Sequence, residues 1–483
     1  KTTGVPLALL EAPWLDGKRI VMLEPRRLAT RAAAFRLADL LDEPVGRTVG
    51  YRIRMDSRVG PQSRIEVVTE GVLTRMLQSD PALSGVGLVI FDEYHERSLE
   101  AELALALCRD IQGILNDDLR LLVMSATLDV ERVADVLGRA PVLTSTGQTH
   151  PVETIYCVRP SGQTVEGAVV ATVRMAVAEE RGSMLVFLPG AAEIRRVAKQ
   201  LEASSLGPAW RIAPLYGNLS LASQASAILP AANGQYKIVL ATSIAETSLT
   251  IEGIRVVVDS GLSRVPRFDA GSGLTRLVTL PVTKASADQR RGRAGRMTAG
   301  TCFRLWSREQ HAGLIPQARP AILEADLAPL GLELALWGLT DASSLDWLDP
   351  PPPATLQQAR DLLMRLAALD REGRITDHGR QMANLPLHPR LAHMLSVAGP
   401  RAAPLAALVS DRDPLRGAGS DQTFLWNTST AMRSRAVIRL KPPVATLGTS
   451  VALTADLPGP THRLPVVDAA AFTVGDFVRL EWD

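Results

Sequence analysis

Cysteine, aromatic residues and long apolar runs are what this chain of 483 residues has least of. Its three cysteines, Cys108, Cys157 and Cys302, are too few and too scattered for a disulfide framework or a zinc site. Aromatic residues make up only 4% of the chain against a hydrophobic content of 46%, so any core must be built from Leu, Val, Ile and Ala. No stretch reaches the roughly 18 consecutive apolar residues that crossing a bilayer takes, which argues against a membrane protein. Lysine is almost missing as well, standing only at positions 1, 18, 199, 237, 284 and 441 among 53 basic residues. Arginine supplies the rest. A GC-rich coding sequence produces that bias as readily as phosphate recognition does, so the excess alone carries no functional weight.

A net charge of +2 says nothing by itself about a polyanionic partner. The distribution says more, since basic residues cluster at 26–36, 52–58 and 290–296. The first residue is Lys1 rather than methionine, and no signal peptide is visible. The expectation is a true N-terminus further upstream, with the cytoplasm as the default location.

The length corresponds to roughly three domains. Short apolar runs recur, each followed by a turn and a helical pattern: Arg19–Leu23, Gly87–Phe91, Leu119–Met124, Met184–Leu188, Lys237–Ala241 and Ile254–Asp259. Strands alternating with helices predict βαβ units and parallel sheets. Two such series are expected, joined by a hinge at Thr144–Pro151 that is rich in Thr, Ser, Gly and Pro. From about residue 310 the pattern turns helical. Ala325–Trp337 is Leu-rich, four prolines follow Asp349, Ala354–Leu369 is amphipathic, and Gly373-Arg374-Ile375-Thr376 reads as a short strand wing. Val444–Asp483 is again β-like.

Three groups carry chemistry. The apolar strand ending at Phe91 delivers Asp92 and Glu93, a pair able to hold magnesium and to polarise an attacking water, with His95 and the Ser125-Ala126-Thr127 loop close by. Alone, such a pair more often caps the next helix. Gln289, Arg290, Arg293 and Arg296 are spaced to share one helical face, where like charges repel unless an anion sits between them. Arginines that stabilise charge on a transferring phosphoryl group meet that need. Lys1-Thr2-Thr3, ahead of a helix and the strand Arg19–Leu23, has the shape of the end of a phosphate-binding loop, though the glycines that cradle phosphate are not in this sequence.

Together these residues resemble the DEAH/RHA group of superfamily 2 helicases, and within it the bacterial HrpB type. The resemblance runs from residue 1 to about 415, through Glu24-Pro25-Arg26-Arg27 (Ia), Thr69-Glu70-Gly71 (Ib), Asp92–His95 (II), Ser125–Thr127 (III), Phe187-Leu188-Pro189-Gly190 (IV), Ala241–Ile251 (V) and Gln289–Arg296 (VI). Ala241-Thr242-Ser243-Ile244-Ala245-Glu246-Thr247-Ser248 and Pro389-Arg390-Leu391 are specific to the group. The third residue of motif II is Tyr94, where DEAH proteins have Ala and HrpB-type proteins usually Phe.

The resemblance implies an α/β fold of two tandem RecA-like P-loop domains followed by a winged-helix and helical-bundle region. The implied boundaries are 1–146, 150–310, a winged helix at 311–385 and the start of a helical bundle at 386–417. Residues 418–483 stay unassigned, either a diverged β domain or the product of a frameshift or assembly join. It further implies an ATP- and magnesium-dependent motor moving 3′ to 5′ on single-stranded or partly duplex RNA, or on DNA; the alternative is an ATP-dependent RNA clamp that does not separate strands. Lys1, Thr2 and Thr3 would bind phosphate, with Thr2, Asp92 and Glu93 at the metal. Gln289 would place the water, Arg293 and Arg296 would act as fingers, His95 would link the site to the second domain, and Glu246 and Thr247 would lie at the cleft. Arg36 would stack on adenine, but the opposing aromatic is replaced near Ile228, which implies loose purine selectivity. Arg26, Arg27, Thr69, Glu70, Gly71, Thr247 and Arg267 would hold the nucleic-acid backbone, the last near a strand-splitting hairpin within Asp259–Leu280. Protein partners are not implied.

Overall fold

The computed structural model describes residues 1–126, 130–145, 150–179, 182–204, 206–217, 219–247, 251–269, 271, 273–410 and four strands between 423 and 465. The chain divides into two compact units, Lys1–Asp326 with Ser343–Pro352, and Leu327–Ala342 with Pro353–Asp483. The expected boundary at 311 therefore falls inside the first unit.

The first unit is built on two sheets. Strands β1 (Arg19–Glu24), β2 (Val49–Ile53), β3 (Asp56–Arg58), β4 (Ile65–Thr69), β5 (Val86–Phe91) and β6 (Arg120–Val123) form the first, in the order β3-β2-β4-β1-β5-β6. Only the β2–β3 pair is antiparallel. Strands β1 and β5 are buried almost end to end, as strands covered on both faces must be, and both carry a central apolar run, in β1 bounded by Arg19 and Glu24. The short edge strand β3, Asp-Ser-Arg, carries charge where an exposed ladder would otherwise invite pairing. The helices α1 (Gly4–Leu9), α2 (Arg27–Leu40), α3 (Glu70–Ser79), α4 (Leu99–Gln112) and α5 (Val130–Val136) accompany this sheet. Helix α4 starts where Ser98 accepts the Ala101 N–H and where Glu100 and Glu102 face the positive end of the helix dipole.

The second sheet is wholly parallel. Strands β7 (Val152–Tyr156), β8 (Ser183–Phe187), β9 (Trp210–Leu215), β10 (Tyr236–Ala241) and β11 (Ile254–Asp259) precede a separate antiparallel hairpin, β12 (Leu262–Asp269) with β13 (Leu274–Pro281), and β14 (Gly300–Arg304) completes the sheet. Its order is β7-β14-β11-β8-β10-β9. The helices α6 (Val165–Glu179), α7 (Ala191–Glu202), α8 (Leu221–Ile228), α9 (Lys284–Gly292) and α10 (Arg308–Ala312) belong to this half. Val169, Val173, Ile194, Val197 and Leu201 pack on Val186, Leu240 and Val258 to make its core. Each such fully buried aliphatic contributes roughly 1.5–3 kcal/mol. Both halves have the RecA-like α/β arrangement.

The second unit is helical where its side chains are described: α11 (Ala328–Leu336), α12 (Pro353–Arg365), α13 (Asp377–Ala383), α14 (Pro389–Ala398) and α15 (Ala403–Ser410). Leu332, Ala335, Leu363, Ala368 and Met382 form its core. The expected wing is a tight turn closed by a single bridge, Leu369 to Ile375, in which Asp370 Oδ1 accepts the Glu372 and Arg374 N–H groups. Further on, Thr423–Asn427, Arg435–Arg439, Ala452–Asp456 and His462–Pro465 pair antiparallel in sequence order. Most of 418–483, and residues 146–149 of the expected hinge, lie outside the described residues.

Candidate functional site

The parallel pairing of β1 with β5 sets Leu23 beside Phe91, so the next residues, Glu24 and Asp92, emerge together at the carboxyl ends of two central strands. The Asp92 N–H donates to Leu23 O (3.1 Å), fixing that exit. Thr2 Oγ1 donates to Asp92 Oδ2 at 2.5 Å, and Lys1 Nζ to Ser125 O at 3.0 Å. The start of the chain thus reaches two other motifs, the Asp92 carboxylate through Thr2 and the Ser125 carbonyl through Lys1. Thr3 precedes the first turn of α1. Thr127 and Ser248 lie outside the described residues.

Glu93 is held at φ 50°, a left-handed conformation unusual for a residue with a side chain. Its N–H donates to Asp92 Oδ1 at 2.8 Å, and the chain then turns through a short 3-10 helix, Tyr94–Glu96, closed by Arg97, also at φ 50°. Such backbone costs of order 1–3 kcal/mol and persists only where surroundings enforce it. Here Tyr94 is buried edge-on to Phe91, with Arg97 over its ring at 5.9 Å. Arg97 also pairs with the buried Glu102 and, at 2.5 Å, with Asp349.

The electrostatics are crowded with acid. Burial, then the charges of Asp92 and Glu96, push the Glu93 carboxyl up to about 7, while Arg293 and Arg296 pull it down. Burial and the neighbours Asp92 and Glu93 push Glu24 well above the usual carboxylate range. His95 Nδ1 lies 3.5 Å from Glu93 Oε2, and burial lowers the imidazole below its ordinary value, favouring the neutral ring.

The arginine comb is arranged differently from the expectation. Helix α9 ends at Gly292 and continues as a 3-10 turn, Arg293–Gly295, so the four residues do not share one helical face around an open gap. Arg290 turns into the domain. It is 1% exposed, donates to Asp259 Oδ1 (2.7 Å) and Glu246 Oε1 (2.6 Å), and lies 4.9 Å from the centre of the Phe187 ring. The anion it needs is the protein's own. Arg293, also buried, donates through Nε to Glu246 O at 2.7 Å and through Nη2 to Thr247 O. Burial, then Arg296, lower Arg293 to about 9. Gln289 is half-buried and Arg296 exposed. The turn needs its glycine, since a Cβ on Gly295 would stand 2.6 Å from His150 O. Gly190 in motif IV is less constrained, since a Cβ there would meet only the movable ends of the Arg264 and Glu193 side chains, which pair with each other.

Two of the expected backbone-binding groups meet a carboxylate. Arg26 Nη1 donates to Ser243 O (2.6 Å) and Nη2 to Glu96 (3.2 Å), whose other oxygen accepts the Thr247 hydroxyl at 2.6 Å. Arg27, Gly71 and Arg267 are exposed and Thr69 half-buried. Arg267, on the hairpin, stands 3.5 Å from Glu324. Glu70 is engaged otherwise: it begins α3 and accepts the Ser98 hydroxyl at 2.5 Å, joining the starts of α3 and α4. Arg36 is exposed on α2, and Ile228 packs against the core of the second sheet.

Sequence reading did not single out Glu96, Arg97 or Asp349. A carboxylate three residues past Glu93 was a usable signal for the first. The Arg97–Asp349 pair joins positions 252 residues apart and left none.

Among the described residues no group of three or more His, Cys, Asp or Glu is arranged to hold a metal, and no helix is long and apolar enough to cross a membrane. Residues 1–136 match the DEAD/DEAH box helicase family, 168–298 the helicase conserved C-terminal domain, and 359–387 the winged-helix helicase associated domain (HA2). The chain is 52% identical over 426 residues to the ATP-dependent RNA helicase HrpB of Escherichia coli (strain K12), covering 87% of this chain and 52% of that protein. The crystal structure of the Escherichia coli DEAH/RHA helicase HrpB aligns with a TM-score of 0.81 at 52% identity, over 85% of this chain and 53% of the other. A second, of the E. coli DExH-box NTPase HrpB, gives 0.76 at 51% identity, over 85% and 51%. The chain therefore spans about half the length of these relatives and, with both RecA-like halves and motifs Ia to VI in order, it belongs to the DEAH/RHA helicase family, in the HrpB branch.

Proposed function

We propose that the chain is the motor portion of an ATP-dependent RNA helicase, hydrolysing ATP between the two sheets and using the cycle to advance 3′ to 5′ along one strand. Residues 1–146 and 150–310 act as its two lobes, followed by a winged helix at 311–385 and the start of a helical bundle at 386–417. The observation that carries this reading is that the first sheet's Glu93, raised to about 7, is acted on by Arg293 and Arg296 of the second. A base poised near neutrality in one half, electrostatically coupled to arginines of the other, supports that reading.

Within that reading Lys1 neutralises the terminal phosphates and Glu93 takes the proton of the attacking water. Gln289 orients that water, and Arg293 with Arg296 stabilise charge on the transferring group. Magnesium suits the oxygen pair of Thr2 and Asp92, since this ion binds through few carboxylates and completes its shell with phosphate and water. When bound, it neutralises charge on the phosphate oxygens. Arg26, Arg27, Thr69, Gly71, Thr247 and Arg267 hold the strand by phosphate and sugar, without reading its sequence.

The test is ATP hydrolysis by the chain carrying a glycine-rich segment ahead of Lys1, with and without single-stranded RNA. Strong stimulation is expected. Hydrolysis coupled to no strand separation in a duplex assay favours the clamp, and an absence of hydrolysis with or without RNA contradicts the proposal.

A further inference from the structure

Glu96 has contacts that the hydrolysis chemistry does not use. Its carboxylate accepts the Thr247 hydroxyl at 2.6 Å and stands 3.1 Å from Arg26 Nη2, while the other arm of Arg26 donates to Ser243 O at 2.6 Å. Arg26 lies at the exit of β1, Ser243 and Thr247 follow β10 in the other half, and Glu96 ends the turn that Glu93 begins. The side chains of Arg26 and Glu96 keep 27% and 19% exposure, so the cluster is sheltered but reachable from solvent.

A carboxylate and a phosphodiester offer a guanidinium and a hydroxyl the same acceptor chemistry. We propose that Glu96 is a positioning residue that stands in for an RNA backbone phosphate: it occupies Arg26 and Thr247 until a phosphate takes them, and its release frees the Glu93–Glu96 turn. RNA binding is thereby coupled to the catalytic turn through one side chain. This inference rests on the reading of Arg26 and Thr247 as backbone contacts.

The experiment measures binding of a fluorescein-labelled single-stranded oligouridylate by anisotropy, without nucleotide, for the unmodified chain, Glu96→Gln, Glu96→Asp and Arg26→Ala. Removing the competing charge is expected to tighten RNA binding in Glu96→Gln by on the order of tenfold, the scale of one charge-assisted hydrogen bond. Glu96→Asp, which keeps the charge, is expected to return most of the way to the original affinity. RNA stimulation of ATP turnover is expected to shrink in Glu96→Gln and to recover in Glu96→Asp, a rescue that a loss of folding does not produce. Unchanged or weaker RNA binding by Glu96→Gln overturns the inference. If Arg26→Ala then still loses affinity, the backbone reading stands without it; if Arg26→Ala binds as the unmodified chain does, both fall.

Discussion

Arg290 Nη1 stands 2.7 Å from Asp259 Oδ1, and neither side chain reaches solvent by more than 1%. Against burial, which alone lowers it, Asp259 and Glu246 hold the Arg290 guanidinium charged well above its ordinary range. Removing one member of a buried pair strands the other, at a cost of about 3–5 kcal/mol. Arg290→Gln is therefore expected to lower the urea midpoint sharply, whereas Arg293→Lys lowers turnover with a much smaller change in stability. Equal loss of stability in both, by chemical denaturation, contradicts this division of the arginines into one that holds the second half together and one whose charge acts on Glu93.

Glu70 sets a pH dependence. Burial raises its carboxyl from 4.5 to about 8, against the lowering effect of the Ser98 hydroxyl. The folded protein thus holds a proton that the unfolded chain releases, so this group's contribution to stability falls as pH rises from about 4.5 to about 8. Glu70→Gln is expected to flatten the melting temperature across that window, with its largest relative gain at the alkaline end. A parallel pH profile in the two proteins contradicts the assignment.

Asp349 is expected to matter for the motif II turn although it lies far away in sequence. Burial raises its pKa, but hydrogen bonds from Arg132 and Arg97 hold the carboxyl below its ordinary value. Asp349→Asn removes the charge that anchors Arg97 beside Tyr94. The expected result is a lower melting temperature and a reduced kcat with little change in KM for ATP, read by thermal denaturation and steady-state kinetics. A raised KM with kcat intact points instead to a role in nucleotide binding.

A glycine-rich segment placed ahead of Lys1 is expected to raise ATP turnover by orders of magnitude. Backbone N–H groups in such a loop cradle phosphate and let the Lys1 amine reach it, a geometry that one lysine at a chain end does not fix. An unchanged kcat/KM removes Lys1 from the phosphate site.

Much of this architecture was legible in the residues. Ile254–Asp259 forms the strand its Val-rich run predicts, and the other five apolar runs are strands within a residue or two of their expected ends. Strands buried on both faces are long apolar runs, and that signal survives without any tertiary information. Strands such as Trp210–Leu215 and Gly300–Arg304 were missed because they carry Arg, Pro, Thr or Gly among their apolar residues. The place of Asp92 and Glu93 at the exit of a central strand was readable from the apolar run before them. The fate of Arg290 was not, because a helical spacing rule cannot show that the helix gives way to a 3-10 turn or that Asp259 and Glu246 wait beneath it. Glu70 shows the same limit: its bond to the Ser98 hydroxyl, which joins the starts of two helices, left no signal in the sequence.

The central claim is that Glu93 is the base of an ATP-hydrolysing site formed by two lobes. Its most direct test is Glu93→Gln in the chain carrying the glycine-rich segment, measured for nucleotide binding with a fluorescent ATP analogue and for hydrolysis under single-turnover conditions with single-stranded RNA present. The account predicts binding within a few-fold of the unmodified protein and hydrolysis reduced by on the order of a thousandfold, as loss of a positioned base produces. Hydrolysis at the original rate would contradict it.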